Sequence, residues 1–189
     1  PWDHEDESAV YALNAETGEV RWKTDRDERT TWATPLAVEH EDRTQIVMNG
    51  SIVRSYDLET GDLLWSCGGQ VSNPIPCPVR MDDHVICMTG YRGNAIYAMP
   101  VDAEGDITGS SSILWSSNDA APYVASPTLY RGQLYFTKER SGRMSSIDAQ
   151  SGKVLISPTP LSQIQRVYAS PVAAGDKIYF TGREGVTVV

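Results

Sequence analysis

Four segments of this chain align on a small residue followed by proline, at Thr34-Pro35, Cys77-Pro78, Ser126-Pro127 and Ser170-Pro171, and these prolines are 43, 49 and 44 residues apart. A second series runs out of phase with the first: Asn14 to Trp22 reads NAETGEVRW, Asp57 to Trp65 reads DLETGDLLW, and Asp148 to Ile156 reads DAQSGKVLI. Trp115 takes the same place after a longer connection from Asp102 to Ser112. A fixed pitch of this size means one supersecondary unit used repeatedly, each copy burying its apolar face against the next.

The runs Gln45 to Asn49, Val85 to Thr89, Gln133 to Thr137 and Lys177 to Thr181 are short, rich in β-formers and bounded by turn residues, and no stretch sustains a helical period. Each repeat therefore predicts four strands. Strand A starts at the proline, B is the Ile/Tyr/Phe run, C ends in Asp or Asn, and D carries the tryptophan. Four strands per unit of this length is the signature of a β-propeller blade.

The recurring letters have structural work to do. Asp57 and Asp148 can accept backbone N–H groups across the C–D turn, and Gly18, Gly61 and Gly152 can take a left-handed conformation there. Trp22, Trp65 and Trp115 are expected between neighbouring blades. Counting strands predicts residues 1–189 as one all-β segment, a propeller laid out as a partial arc. Its blades lie near 31–67, 74–117 and 123–157, with incomplete ones near 9–23 and 168–189. Unpaired edges at the ends of such an arc favour self-association.

Composition narrows function mostly by exclusion. The 189 residues carry a net charge of -9 with no Lys/Arg tract, which opposes binding to phosphate backbones and argues against nucleic acid. No apolar run reaches the length of a membrane helix. The chain opens at Pro1 without a charged-then-apolar leader, so no signal peptide is read in it. Cys67, Cys77 and Cys87 cannot all pair within one chain; they read as buried thiols, and a bridge between two of them stays open.

Taken together, the Asp/Asn-x-x-Thr/Ser-Gly-x-x-x-Trp pattern and the Ser/Thr-Pro strand resemble the PQQ-like (quinoprotein-type, BamB-like) β-propeller repeat, over about Val10 to Val189. The resemblance implies a periplasmic or otherwise extracytoplasmic bacterial setting. Its enzymes are quinone-dependent dehydrogenases, which by the same resemblance hold the quinone near two adjacent disulfide-linked cysteines and a Ca²⁺ bound by Glu, Asn and Asp. This chain has no adjacent cysteine pair, and its repeat Asp and Asn residues are already turn formers. Neither pyrroloquinoline quinone (PQQ) nor calcium is expected on it.

No GxSxG, HExxH, Walker loop or GxGxxG appears, so no catalytic residue is nominated. His4, among Asp3, Glu5, Asp6 and Glu7, and His84, after Asp82 and Asp83, read as parts of solvated acidic loops. Asn49-Gly50-Ser51 matches a glycosylation acceptor but reads as a B–C hairpin turn. What remains is a division of charge. The A–B and C–D connections carry 15 acids against 5 bases, while the B–C turns and D-to-A crossings carry 9 bases against 6 acids. Arg29, Trp32, Asn73, Tyr91, Arg92, Tyr123, Arg140, Arg143, Tyr168 and Arg183 fall on this second, crossing face, a mixture suited to contact surfaces. The sequence thus points to a non-catalytic binding scaffold for a protein partner or an anionic ligand. The alternative is a fragment of a PQQ-dependent quinoprotein dehydrogenase.

Overall fold

A computed structural model describes residues 1–189 and contains strands and turns without a helix. Five antiparallel blades follow one another. The first joins β1 (Trp2–Asp3), β2 (Ser8–Leu13) and β3 (Val20–Asp25). The second joins β4 (Leu36–His40), β5 (Arg43–Met48), β6 (Ile52–Asp57) and β7 (Leu63–Gly68). The third contains β8 (Val79–Met81), β9 (His84–Thr89), β10 (Ala95–Pro100) and, beyond the short β11 (Gly105–Asp106), β12 (Trp115–Ser117). The fourth holds β13 (Thr128–Tyr130), β14 (Gln133–Thr137), β15 (Arg143–Asp148) and β16 (Val154–Pro160). The fifth has β17 (Val172–Ala174), β18 (Lys177–Thr181) and β19 (Thr187–Val188).

Two of these strands have no counterpart in the sequence reading. β1 lies beside β2 in register Trp2↔Ala9, giving the first blade three strands. β11 leaves its own blade and adds a parallel fifth strand to the outer edge of the second, in register Gly105↔Trp65. The Ile107 N–H donates to the Ser66 carbonyl at 2.9 Å. The Gly68 N–H donates to the Thr108 hydroxyl at 2.8 Å, so side chain and backbone both hold the added strand.

The core lies between blades. Val47, Trp65, Cys67, Val85, Cys87 and Met99 fill the space between the second and third, while Ile86, Ile96, Leu134, Phe136 and Ile147 fill that between the third and fourth. The outer interfaces are thinner, with Val10, Met48 and Tyr56 at one end and Ala125, Ile164, Val167 and Phe180 at the other.

The C–D turns close as their residues require. Asp57 Oδ1 accepts the N–H groups of Glu59 at 2.8 Å and Thr60 at 3.1 Å, and Gly61 has a φ of +78°. Each closed turn is also a docking platform. Trp22 of the first blade lies flat against Gly61 and donates Nε1–H to the Leu58 carbonyl at 2.8 Å. Trp115 repeats this on Gly152 and the Ala149 carbonyl, at 3.2 Å. Both rings are half-buried. Trp65 alone is fully buried. The blade after it has no such turn, and its Nε1–H goes to Gln45 Oε1 at 2.9 Å.

Several residues read as loop features turn out to be links between blades. His84 is 2% exposed and bonds the Ala149 carbonyl through Nε2 at 3.0 Å, so it is no part of a solvated acidic loop. Gln45, equivalent by register, donates to the Val101 carbonyl at 2.7 Å. Asn49 donates to the carbonyls of Pro76 and Met88 at 2.8 and 2.9 Å. Three of the residues before the repeat prolines also link blades: the Cys77 N–H donates to the Ser126 hydroxyl and the Ser126 N–H to the Ser170 hydroxyl, both at 3.0 Å. Asp3 likewise departs from the solvated-loop reading, forming a fully buried ion pair with Arg26 at 3.0 Å.

Candidate functional site

The crossing face is built from the D-to-A segments 26–35, 69–78, 118–127 and 161–171 and from the B–C turns. In the fourth and fifth blades these loops are tied to one another by backbone bonds. The Glu139 N–H donates to the Ala121 carbonyl at 2.8 Å and the Tyr123 N–H to the Glu139 carbonyl at 3.1 Å. The N–H groups of Val167 and Arg183 donate to the carbonyls of Arg140 and Arg166, both at 3.0 Å. The loops therefore form short bridges, and their side chains are held at fixed spacing.

On this frame an arginine lies over a tyrosine three times. Arg92 is 5.2 Å from the ring centre of Tyr91, Arg140 is 5.1 Å from that of Tyr123, and Arg183 is 5.0 Å from that of Tyr168. Tyr91 and Tyr123 stack across the third and fourth blades, with centroids 4.8 Å apart and planes at 26°. Each pair is worth about 0.5–1 kcal/mol at an exposed site, enough to orient the guanidinium while its N–H groups stay free for a ligand. Arg92, Arg140 and Arg183 are exposed.

The other nominated residues do not join these pairs. Trp32 stands 56% exposed on the first crossing segment, with its N–H bonded to the Pro74 carbonyl at 3.0 Å. Arg29 is exposed on the same segment, and Asn73 is half-buried with a φ of +55°. Arg143 is turned onto its own blade, donating Nη2–H to the Pro158 carbonyl at 2.6 Å. Arg26, counted among the basic groups of this face, is withdrawn by its buried pairing with Asp3.

Elsewhere the chemistry is quiet. All three cysteines are free; burial pushes the Cys67 thiol up to about 11 and the Cys87 thiol higher still, so both stay protonated and inert. On the opposite face an open cleft of about 400 Å³ between the second and third blades is lined by Glu41, Asp42, Asp102 and Glu104, with Arg43 among them. No group of three or more His, Cys, Asp or Glu side chains stands close enough to hold a metal ion.

The repeat, the docked tryptophans and the open row of blades agree with sequence comparison. Residues 6–189 match the family described as Outer membrane protein assembly factor BamB. The chain belongs to this family, whose fold is the PQQ-like propeller repeat. No functionally curated protein matches it in sequence. Among solved structures it resembles BamB from Moraxella catarrhalis with a TM-score of 0.63 and 18% identity, over 95% of this chain and 54% of that one. The quinohemoprotein alcohol dehydrogenase from Comamonas testosteroni matches with a TM-score of 0.61 and 14% identity, over 92% of this chain and 37% of that one. The computationally designed Ika8 protein gives 0.61 and 10%, over 94% and 50%. The chain thus spans about half the length of the BamB structure it matches, and at these identities the likeness is one of fold. No helix is long and apolar enough to cross a membrane.

Proposed function

We propose that this chain is a non-catalytic scaffold in outer-membrane protein assembly, acting outside the cytoplasm and offering its crossing face to a protein partner. Membership in the BamB family supports the setting. The observation that carries the choice of face is the threefold recurrence of an exposed guanidinium over a tyrosine ring, two of the three pairs on loops bridged backbone to backbone and the third on a turn whose Asn94 Oδ1 accepts the Ala121 N–H at 3.1 Å. Such pairs supply anchors that lose little freedom on binding.

The experiment is photo-cross-linking in cells. A photoreactive amino acid at Tyr123 or Tyr168 should give discrete protein adducts, and the same residue at Asp82 on the acidic face should give none. Adducts from Asp82 alone would place the contact on the wrong face. The reading also implies that quinone does not bind. Titration of PQQ with Ca²⁺ into the purified chain should leave the absorbance of the free quinone unchanged, and a saturable spectral shift would favour the dehydrogenase-fragment reading.

A further inference from the structure

Between the third and fourth blades, at the crossing-face end of their strands, lies a cavity of about 180 Å³. It exists because β15 and β16 slip past each other. Their register runs Met144↔Thr159 and then Ser146↔Ile156, which leaves Ser145 without a partner opposite the extra residues Ser157 and Pro158. Pro158 has no N–H to offer the ladder, and its carbonyl is held outward by Arg143. The space that a regular strand would fill is open.

Its walls combine the apolar Ile96, Ala120, Phe136, Ile147 and Val154 with the polar Ser117, Asp119, Ser145 and Ser157. One of the lining polar residues is buried. Ser145 is 2% exposed, lines the cavity, and its hydroxyl has no hydrogen-bond partner. A buried hydroxyl without a partner is costly, so an occupant that satisfies it gains more than one that only fills space. The Asp119 carboxylate at the rim disfavours an anion. A cavity of about 150 Å³ is known to admit a benzene ring, so a single ring with one neutral hydroxyl matches this space in both size and polarity.

We propose that this cavity receives a phenol ring, the side chain of a tyrosine on a polypeptide partner, with its hydroxyl bonded to Ser145. The proposal rests on the protein-contact reading of the crossing face, since Asp119 and Ala120 of the cavity lining belong to the 118–127 crossing segment that carries Tyr123. The phenol commits the site to a donor and acceptor at Ser145 and to a flat ring between Phe136 and the proline of the bulge.

The test uses p-cresol, toluene and N-acetyltyrosine amide as probes, titrated into the 189-residue chain with labelled isoleucine methyls. The Ile96 and Ile147 methyl resonances should shift saturably with p-cresol and with the tyrosine amide. Toluene should bind about 3- to 10-fold more weakly, the worth of one neutral hydrogen bond. Ser145→Ala should erase that preference while leaving toluene binding in place, and Val154→Phe in the lining should weaken all three ligands. Equal affinity for p-cresol and toluene, an unchanged preference in Ser145→Ala, or no saturation would overturn the site. Binding of p-cresol without the tyrosine amide would overturn the polypeptide source. Cross-linking from Tyr123 does not need the cavity, so adducts without cresol binding reject the pocket alone, and cresol binding without adducts rejects the docking face.

Discussion

Gly61 and Gly18 occupy the same place in the repeat, yet substituting them should have different consequences. Both have a φ near +75°, so alanine at either position costs about 1–2 kcal/mol of left-handed strain. A Cβ on Gly18 would meet nothing within 4 Å, whereas one on Gly61 would stand 2.6 Å from the Trp22 ring. Gly61→Ala should therefore lose about 1–3 kcal/mol more than Gly18→Ala, by overpacking. Chemical denaturation of both variants measures the gap, and equal losses would mean that the tryptophan contact carries no strain. At this scale the sequence was legible wherever a letter recurs: the spacing from glycine to tryptophan announces both turn and dock. His84 and Gln45 escaped it because they share a register position but not a residue type. Asp3 escaped because its partner, Arg26, lies in another strand's connection. Of the crossing face, the tyrosines and arginines were legible as residues of the crossing loops, but the pairing of Arg140 with Tyr123 and of Arg183 with Tyr168 joins residues distant in sequence and leaves no mark in it.

The C–D hairpin is an element whose stability should follow pH. The Ser151 hydroxyl, and then its N–H, hold the Asp148 carboxyl below the usual carboxylate range. A group with a lowered pKa in the folded state stabilises fully above its unfolded pKa, about 4, and that contribution fades as pH falls through the lower folded value. Wild type should thus exceed Asp148→Asn in stability at neutral pH, and the two should converge as pH falls below about 4. Denaturation midpoints across that range check it; a constant difference would refute the role of the charge. Asp106 is held low in the same way by the Thr108 hydroxyl and N–H, in the segment that carries β11. The long strands were legible from their alternation, whereas β1 and β11 were not. Two residues cannot display a period, and both strands are fixed by partners distant in sequence.

Taken whole, the molecule is an open row of blades with apolar side chains exposed toward both ends: Trp2, Leu13 and Val20 on the first blade, and Leu155 and Ile156 on β16 with Val172 on β17 at the other. The chain as given should associate reversibly as concentration rises, and Leu155→Lys with Val172→Lys should reduce that association. Sedimentation velocity over a hundredfold range of concentration would show it, and a single monomer peak throughout would argue against exposed edges as contacts. A row in which each unit touches only its neighbours has a stability that is a sum over interfaces, and here the sum is uneven. β11, part of the third blade's chain, is hydrogen-bonded onto the outer edge of the second, beside the well-filled interface that contains Trp65. Amide hydrogens should therefore exchange in an order set by position along the row. Those of β2 and β18 should go early by local opening, and those of β6 and β9 should go last, with the global event. Fraying would then proceed inward from both ends toward a clasped pair of blades that opens as one cooperative unit.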